Sequence, residues 1–139
     1  MNEINDLRGL WRGKRIDNGK WVKGFLSKSR NTEEKPALLK PCIDFEDKGV
    51  MVSCIVDPST LGECACVLDK NGKPIFEGDI VRYSKTLHKV VFEHRYNNAY
   101  FGIAITNIES WHFGRVTTPD YMEVIGNIHD NPELLKGGN

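Results

Sequence analysis

No other segment limits the choice of fold as strongly as residues 69–83, which read DKNGKPIFEGDIVRY. Their Asn-Gly and Glu-Gly-Asp sequences are typical of tight turns, because glycine accepts backbone angles that other residues avoid. Each turn is followed by a short apolar run with the composition of a strand. Two turns and two strands in so short a stretch predict a β-rich domain with little helix.

Short strands and turns continue through the rest of the 139-residue chain. Asn18-Gly19 predicts a hairpin with a type I′ turn. The charges and prolines of residues 27–41 predict a polar loop instead of a regular element. Many short strands joined by glycine turns predict an all-β barrel or sandwich.

A turn or one short helical turn is expected at residues 57–60, and a short helical turn is expected at the end of the chain. The first begins at Asp57, which can cap a turn that has Pro58 at its first position. The second lies near the C-terminus, where Asp130 or Asn131 precedes Pro132 in the same way.

The composition narrows the function classes. The net charge is zero, which argues against general nucleic-acid binding. No apolar run approaches the ~20 residues that span a bilayer, and the first residues carry acids without the apolar core of a signal peptide. We therefore expect a cytoplasmic protein that does not bind membranes, with reduced cysteines.

Charge is unevenly distributed along the chain. Residues 1–30 carry eight Lys or Arg against three acids, and residues 31–80 carry five against ten. The remainder carries six of each sign. A basic front and an acidic middle can face each other within one chain or pair with a neighbour's segments in an oligomer, and we favour this over a surface for another ligand.

Three segments together resemble the YopX-like family of phage and prophage proteins: TLGECACVLDKNGKPIFEGDIVRY, EVIGNIHDNPELL and the N-terminal WRGKRIDNGKWVKGFL. The resemblance covers nearly the whole chain and implies one all-β domain, residues 1–139, containing a small SH3-like barrel. The expected fold is this barrel with additional N-terminal strands, including a hairpin, and a short helical turn at the C-terminus. Alternatively, the domain is subdivided into an N-terminal β part, residues 1–60, and an SH3-like barrel part, residues 61–139. The family has no established molecular function, so no catalytic residues are implied.

Cys66 stands where the resemblance implies a glycine, so backbone freedom is lost just before the DKNGK turn. Cys64 and Cys66 lie two apart, which in a strand puts both thiols on one face and makes them the candidate metal pair. A structural zinc site needs four ligands, and the sequence has no Cys-x-x-Cys knuckle. We favour cysteines that act as small apolar residues, and expect no metal and no cofactor.

Catalysis is not favoured by any motif. The sequence has no His-Glu-x-x-His, no P-loop, no Gly-x-Gly-x-x-Gly and no Gly-x-Ser-x-Gly. An enzyme would need a pocket that holds His94 or His112 near Cys64 or Glu77. We expect histidines on the surface or in hydrogen bonds, and a chain that is not an enzyme.

Glu77 and Asp79 flank Gly78, and two carboxylates this close suggest acid–base chemistry. Turn formation explains them better, because Gly78 supplies the backbone angle and Asp79 can accept a hydrogen bond from a backbone N–H. We therefore assign a structural role in turns to Asn71, Gly72, Gly78 and Asp79.

The segment from Arg8 to Arg30 interleaves basic and aromatic residues. Such a mixture suits single-stranded nucleic acid, because bases stack on rings while phosphates pair with cations. The candidate contact residues are Arg12, Lys14, Arg15, Trp21 and Lys23. Tryptophans such as Trp11 and Trp21 are more often core residues in small barrels, so nucleic-acid binding is an alternative and is not favoured.

The favoured function is that of a phage or prophage accessory protein in the cytoplasm of a bacterial host cell. We expect a non-enzymatic interaction module. Exposed strand edges gain from pairing with another chain, so self-association is the favoured interaction, followed by a host or phage protein. Nucleic-acid binding through residues 8–30 comes next, and an enzyme with a Cys/His or carboxylate site comes last.

Overall fold

The computed structural model describes residues 7–31, 38–95, 98–104, 110–112 and 121–136. These residues form eleven strands, with short 3-10 turns at Pro58–Thr60 and Pro132–Leu135. The predicted all-β class is confirmed. The strands are β1 (Leu10–Lys14), β2 (Trp21–Asn31), β3 (Leu38–Asp47), β4 (Val50–Ile55), β5 (Gly62–Leu68), β6 (Pro74–Phe76), β7 (Asp79–Tyr83), β8 (Thr86–Arg95), β9 (Asn98–Ala104), β10 (Ser110–His112) and β11 (Glu123–Asn127).

The strands divide between two compact units. One unit is Arg8–Cys64, and the other is Ala65–Asn139 together with the first residues up to Leu7. Strand β5 passes from the first unit into the second, since the boundary falls between Cys64 and Ala65.

The Arg8–Cys64 unit is an antiparallel sheet with the order β4-β3-β2-β1, followed by the start of β5. An antiparallel bridge joins Arg15, just after β1, to Val56, just after β4. Ile43 and Cys54 lie on one face of the β3–β4 pair, directly opposite each other, and both are buried. Apolar burial of this kind is the main stabilising contribution available to so small a sheet.

The Ala65–Asn139 unit contains the rest of β5 beside β6, and a five-stranded antiparallel sheet with the order β10-β9-β8-β7-β11. Within the described ranges this sheet is open, so the barrel implied by the resemblance is not closed here. The turn at Pro132–Leu135 packs against β8. The core of the unit consists of the fully buried side chains Ile75, Val81, Val90, Ile103 and Met122.

The first hairpin differs from its prediction in the turn. Arg15 N–H donates to the Lys20 carbonyl at 2.9 Å, so the loop comprises residues 16–19. Gly19 has a φ of +72°, but Asn18 does not take a positive φ, so the type I′ prediction is wrong. The reason is local: the Asn18 side chain accepts a hydrogen bond from Lys20 N–H at 2.9 Å, which favours a wider loop.

The polar loop predicted over residues 27–41 is wrong at both ends. Strand β2 continues to Asn31 and β3 begins at Leu38, with paired residues from Ser27–Cys42 to Asn31–Leu38. Backbone pairing supplies the hydrogen bonds whatever the side chains are, so a polar composition does not prevent a strand here. Residues 32–37 lie outside the described residues.

Among the described residues there is no helix with the length and hydropathy needed to cross a membrane.

Candidate functional site

The DKNGK turn is organised by Asp69, which is 5% exposed. Its Oδ1 atom accepts hydrogen bonds from the backbone N–H groups of Asn71 at 2.8 Å and Lys73 at 2.9 Å. Gly72 has a φ of +79° and donates its N–H to the Asp69 carbonyl at 3.0 Å. Asn71 and Gly72 thus form the turn, and the buried carboxylate of Asp69 closes it.

The Glu-Gly-Asp turn has a similar construction around Asp79, which is 2% exposed. The Oδ2 atom of Asp79 accepts a hydrogen bond from Phe76 N–H at 2.8 Å. Gly78 has a φ of +92°, donates its N–H to the Val90 carbonyl at 3.0 Å, and accepts from Ile128 N–H at 2.9 Å. The turn is therefore hydrogen-bonded both to β8, through Val90, and to Ile128, the residue after β11.

The two turns and β11 form one hydrogen-bonded assembly. Asp69 Oδ2 accepts from Val124 N–H at 2.9 Å, and Lys70 N–H donates to the Met122 carbonyl at 2.9 Å. Residues that are far apart in sequence but carry the family resemblance meet at these bonds. Carboxylates that bind backbone donors in buried turns stabilise the fold, and such bonds to charged groups are among the stronger ones in proteins.

Four of the five candidate nucleic-acid contacts lie together on one face of the β1–β2 hairpin. Lys14 is directly opposite Trp21, and Arg12 is directly opposite Lys23. The Arg12 guanidinium carbon lies 4.9 Å from the centroid of the Trp21 ring, and Lys14 Nζ lies 5.4 Å from it. These are cation–π distances. Arg12 is buried, Lys14 and Trp21 are half-buried, and Lys23 is exposed.

The fifth candidate, Arg15, lies apart from this group. Its Nε and Nη2 atoms donate to the two carboxylate oxygens of Asp17 at 2.9 Å and 2.7 Å. This hydrogen bonding lowers the pKa of Asp17 and raises the pKa of Arg15. The charge of Arg15 is therefore offset locally, while Trp11, the other tryptophan of the segment, is half-buried.

A second group of side chains, all exposed except the half-buried Asp44, extends from β2 across β3 to β4 on the face that also carries Lys23. Phe25 is opposite Asp44, Asp44 is opposite Ser53, and Glu46 is opposite Met51. Phe25 is 61% exposed and Met51 is 64% exposed. We call this group the Phe25 face, and its members are Lys23, Phe25, Asp44, Glu46, Met51 and Ser53.

Exposed apolar side chains are concentrated in the unit that carries this face. In the described part of the chain, the large apolar residues with high exposure are Ile16, Phe25, Leu26, Val50, Met51 and Tyr121. All but Tyr121 belong to the Arg8–Cys64 unit. Of these residues, Phe25 and Met51 share the Phe25 face, whereas Leu26 and Val50 lie on the opposite face of the sheet. Phe25 and Met51 are therefore the exposed apolar pair of this candidate interaction surface.

The two candidate metal ligands differ in environment. Cys64 is buried, whereas Cys66 is half-buried and its thiol donates to the Leu7 carbonyl at 3.6 Å. Cys66 has a φ of +60°, so the extended backbone that would put both thiols on one face is not kept. Within the described ranges, no three His, Cys, Asp or Glu side chains are grouped as metal ligands would be.

The catalytic alternative can be placed only in part. Glu77 follows β6, directly before the turn at Gly78. The side chains of His94 and His112 lie outside the described residues.

Sequence reasoning missed two features. The sequence-based prediction gives Asp69 no role, although Asp side chains in turns often accept a hydrogen bond from the backbone N–H two residues later, here that of Asn71. The exposure of Phe25 and Met51 had no sequence signal, because an apolar residue in a strand is normally expected to face the core.

Comparison with known proteins agrees with this fold. The crystal structure of protein EF1440 from Enterococcus faecalis superposes with a TM-score of 0.52 at 19% sequence identity. The match covers 91% of this chain and 96% of that one, and at this identity it shows a shared fold. No curated protein matches the chain. The profile of the YopX protein family matches residues 10–136, and the chain therefore belongs to the YopX family.

Proposed function

We propose that this YopX-family chain is a non-enzymatic interaction module of a phage or prophage, and that it binds a protein partner through the Phe25 face in the bacterial cytoplasm. The observation that carries the proposal is the exposure of Phe25 and Met51, at 61% and 64%, on one sheet face. Aromatic and methionine side chains are enriched at the centres of protein interfaces.

The roles of the buried carboxylates support a non-enzymatic function. Asp69 and Asp79 each bind backbone N–H groups of the turns in which they lie. A general base must be able to reach a substrate proton, whereas these carboxylates accept hydrogen bonds from backbone N–H groups of the protein itself. The turn residues that give the chain its family resemblance are thus accounted for by stability.

Nucleic-acid binding remains the second candidate, because Trp21 lies with Arg12 and Lys14 on a partly exposed face. The electrostatics of the neighbouring strand oppose it. Asp44 and Glu46 lie on the same face of β3, where they would repel phosphates. A protein partner that offers both charge signs fits this mixed face better.

Affinity capture from host cells tests the proposal. The bait is the full chain, compared with a Phe25→Ser/Met51→Ser variant and with a Tyr121→Ser control that removes an exposed aromatic residue from the other unit. We expect a protein partner that the double variant loses, that the control keeps, and that nuclease treatment leaves bound. Capture of nucleic acid that salt releases would favour the second candidate instead.

A further inference from the structure

We propose that the partner of the Phe25 face is a second copy of this chain, docked face to face about a two-fold axis. This inference rests on the proposed function and specifies its partner. The charges around the two exposed apolar side chains, Phe25 and Met51, indicate this partner.

The face has a basic side and an acidic side. On β2, Lys23 is exposed two residues before Phe25, and Arg12 and Lys14 lie beyond it on β1. On β3, Glu46 is exposed and Asp44 is half-buried. The uneven distribution of charge along the sequence therefore becomes two adjacent, oppositely charged strips on one sheet.

A two-fold axis would place the basic strip of each copy opposite the acidic strip of the other. In an isologous interface the same patch is used by both copies, so a contact made by one residue pair is made twice. An axis between the strips places Lys23 of each copy near Glu46 of the other. Phe25, on β2, then lies beside the axis, where its apolar surface leaves water, and Met51, on β4, lies one strand beyond the acidic strip.

The same pattern disfavours other occupants. A polyanion such as nucleic acid would gain from Lys23 and lose against Asp44 and Glu46. A second copy places a strip of opposite charge over each strip and needs no other chemistry. The face has six members, whereas a standard stable interface uses roughly 20–30 residues a side, so we expect association in the micromolar range or weaker.

Charge exchange between two variants provides the test. Glu46→Lys and Lys23→Glu are each expected to weaken self-association of the full-length chain about tenfold to a hundredfold, because both symmetric contacts become repulsive. In an equimolar mixture, one copy of each variant can form a mixed dimer. One of its two contacts joins the two substituted positions, which then carry opposite charges. The other contact joins Lys23 to Glu46, as in the unmodified protein. Mixing is therefore expected to restore association to within a few-fold of the unmodified protein.

Mixing separates this contact from one within a single chain, because an intramolecular pairing cannot be repaired by a second molecule. The readout is sedimentation velocity over a concentration series. The control pair is Lys85→Glu and Glu133→Lys, two exposed positions in the other unit, which should leave association unchanged. Thermal unfolding of each variant shows that it is folded, and the double variant Lys23→Glu/Glu46→Lys should associate with itself again.

Two results would overturn the inference. One is an unmodified protein that stays monomeric throughout the series, and the other is a mixture no more associated than its separate components. If the chain is monomeric but captures a protein that the Phe25→Ser/Met51→Ser variant loses, this inference fails while the proposed function stands. If the double apolar variant associates and captures like the unmodified chain, both fail.

Discussion

The Oδ2 atom of Asp69 accepts a hydrogen bond from the backbone N–H of Val124 at 2.9 Å, across 55 positions of sequence. The other carboxylate oxygen of Asp69 closes the DKNGK turn. One buried side chain thus fixes a turn and joins it to β11. Asp69, in one of the segments that carry the family resemblance, therefore has a structural role in this chain.

Replacing Asp69 by Asn should lower the free energy of unfolding by about 1–3 kcal/mol. An amide has one acceptor oxygen, so its NH₂ group would face an N–H donor of either the turn or β11. Urea denaturation measures the change, and Glu133→Gln, an exposed carboxyl, is the control. Equal stability of Asp69→Asn and the unmodified chain would contradict this role.

Asp79→Asn should also destabilise the chain, by about 1–2 kcal/mol, because Asp79 binds Phe76 N–H in a buried turn. Association through the Phe25 face should be unchanged once the protein is folded. Chemical denaturation and sedimentation of the same preparation measure both quantities. A fully stable variant that has selectively lost binding would show that Asp79 belongs to a functional site.

Cys66→Gly should be more stable than Cys66→Ala by about 1 kcal/mol. Cys66 has a φ of +60°, a conformation that costs a residue with a side chain about 1–2 kcal/mol and that glycine adopts without this cost. The greater entropy of glycine in the unfolded chain offsets part of this advantage. Ala65→Gly is the matched control, because it lacks the positive φ and should lose stability. Thermal unfolding of the three variants gives the order, and alanine above glycine at position 66 would refute the explanation.

Gly24→Ala should cost about 3 kcal/mol or more. A Cβ atom at Gly24 would collide with the backbone carbonyl oxygen of Asp44 on β3, which cannot move aside without disturbing the sheet. Lys28→Ala, at an exposed position of the same strand, should have little effect. Denaturant midpoints distinguish the two, and a mild effect at Gly24 would mean that β2 and β3 are farther apart.

The pKa of Asp17 should lie below its ordinary value and should rise when Arg15 is replaced by Gln, because the hydrogen bond with Arg15 lowers it. Since the folded-state pKa is the lower one, the pair favours folding above the ordinary pKa of an Asp. That contribution is lost as the pH falls through the lowered pKa. A carboxyl titration followed by NMR measures the shift, and identical midpoints in the two proteins would exclude the pairing in solution.

Much of the fold could be predicted from local turn chemistry. Lys48 and Gly49 form the turn between β3 and β4, with φ values of +53° and +81°, and a glycine at this place is typical of such a turn. At the first 3-10 turn, Asp57 accepts a hydrogen bond from Ser59 N–H, as a capping residue should. Such features depend on a few neighbouring residues, so the sequence alone indicates them.

Features that depend on distant partners could not be predicted. The turn at Ser84 and Lys85 has two positive φ values without a glycine, and pairing of β7 with β8 imposes them. Exposure of Phe25 is decided by which face of β2 the rest of the chain covers. No local pattern distinguishes an apolar residue for a core from one for a partner.

The molar mass of the Phe25→Ser/Met51→Ser variant as a function of concentration shows whether the Phe25 face mediates self-association. We expect the molar mass of the unmodified chain, measured by light scattering, to rise with concentration above the monomer mass of 15.8 kDa. The variant should stay at the monomer mass and unfold at the same temperature or higher, because exposed apolar groups add little to the stability of the monomer. A variant that associates like the unmodified chain would show that the Phe25 face is not the interface, and a variant that unfolds as though it had lost core residues would show that these side chains are not exposed.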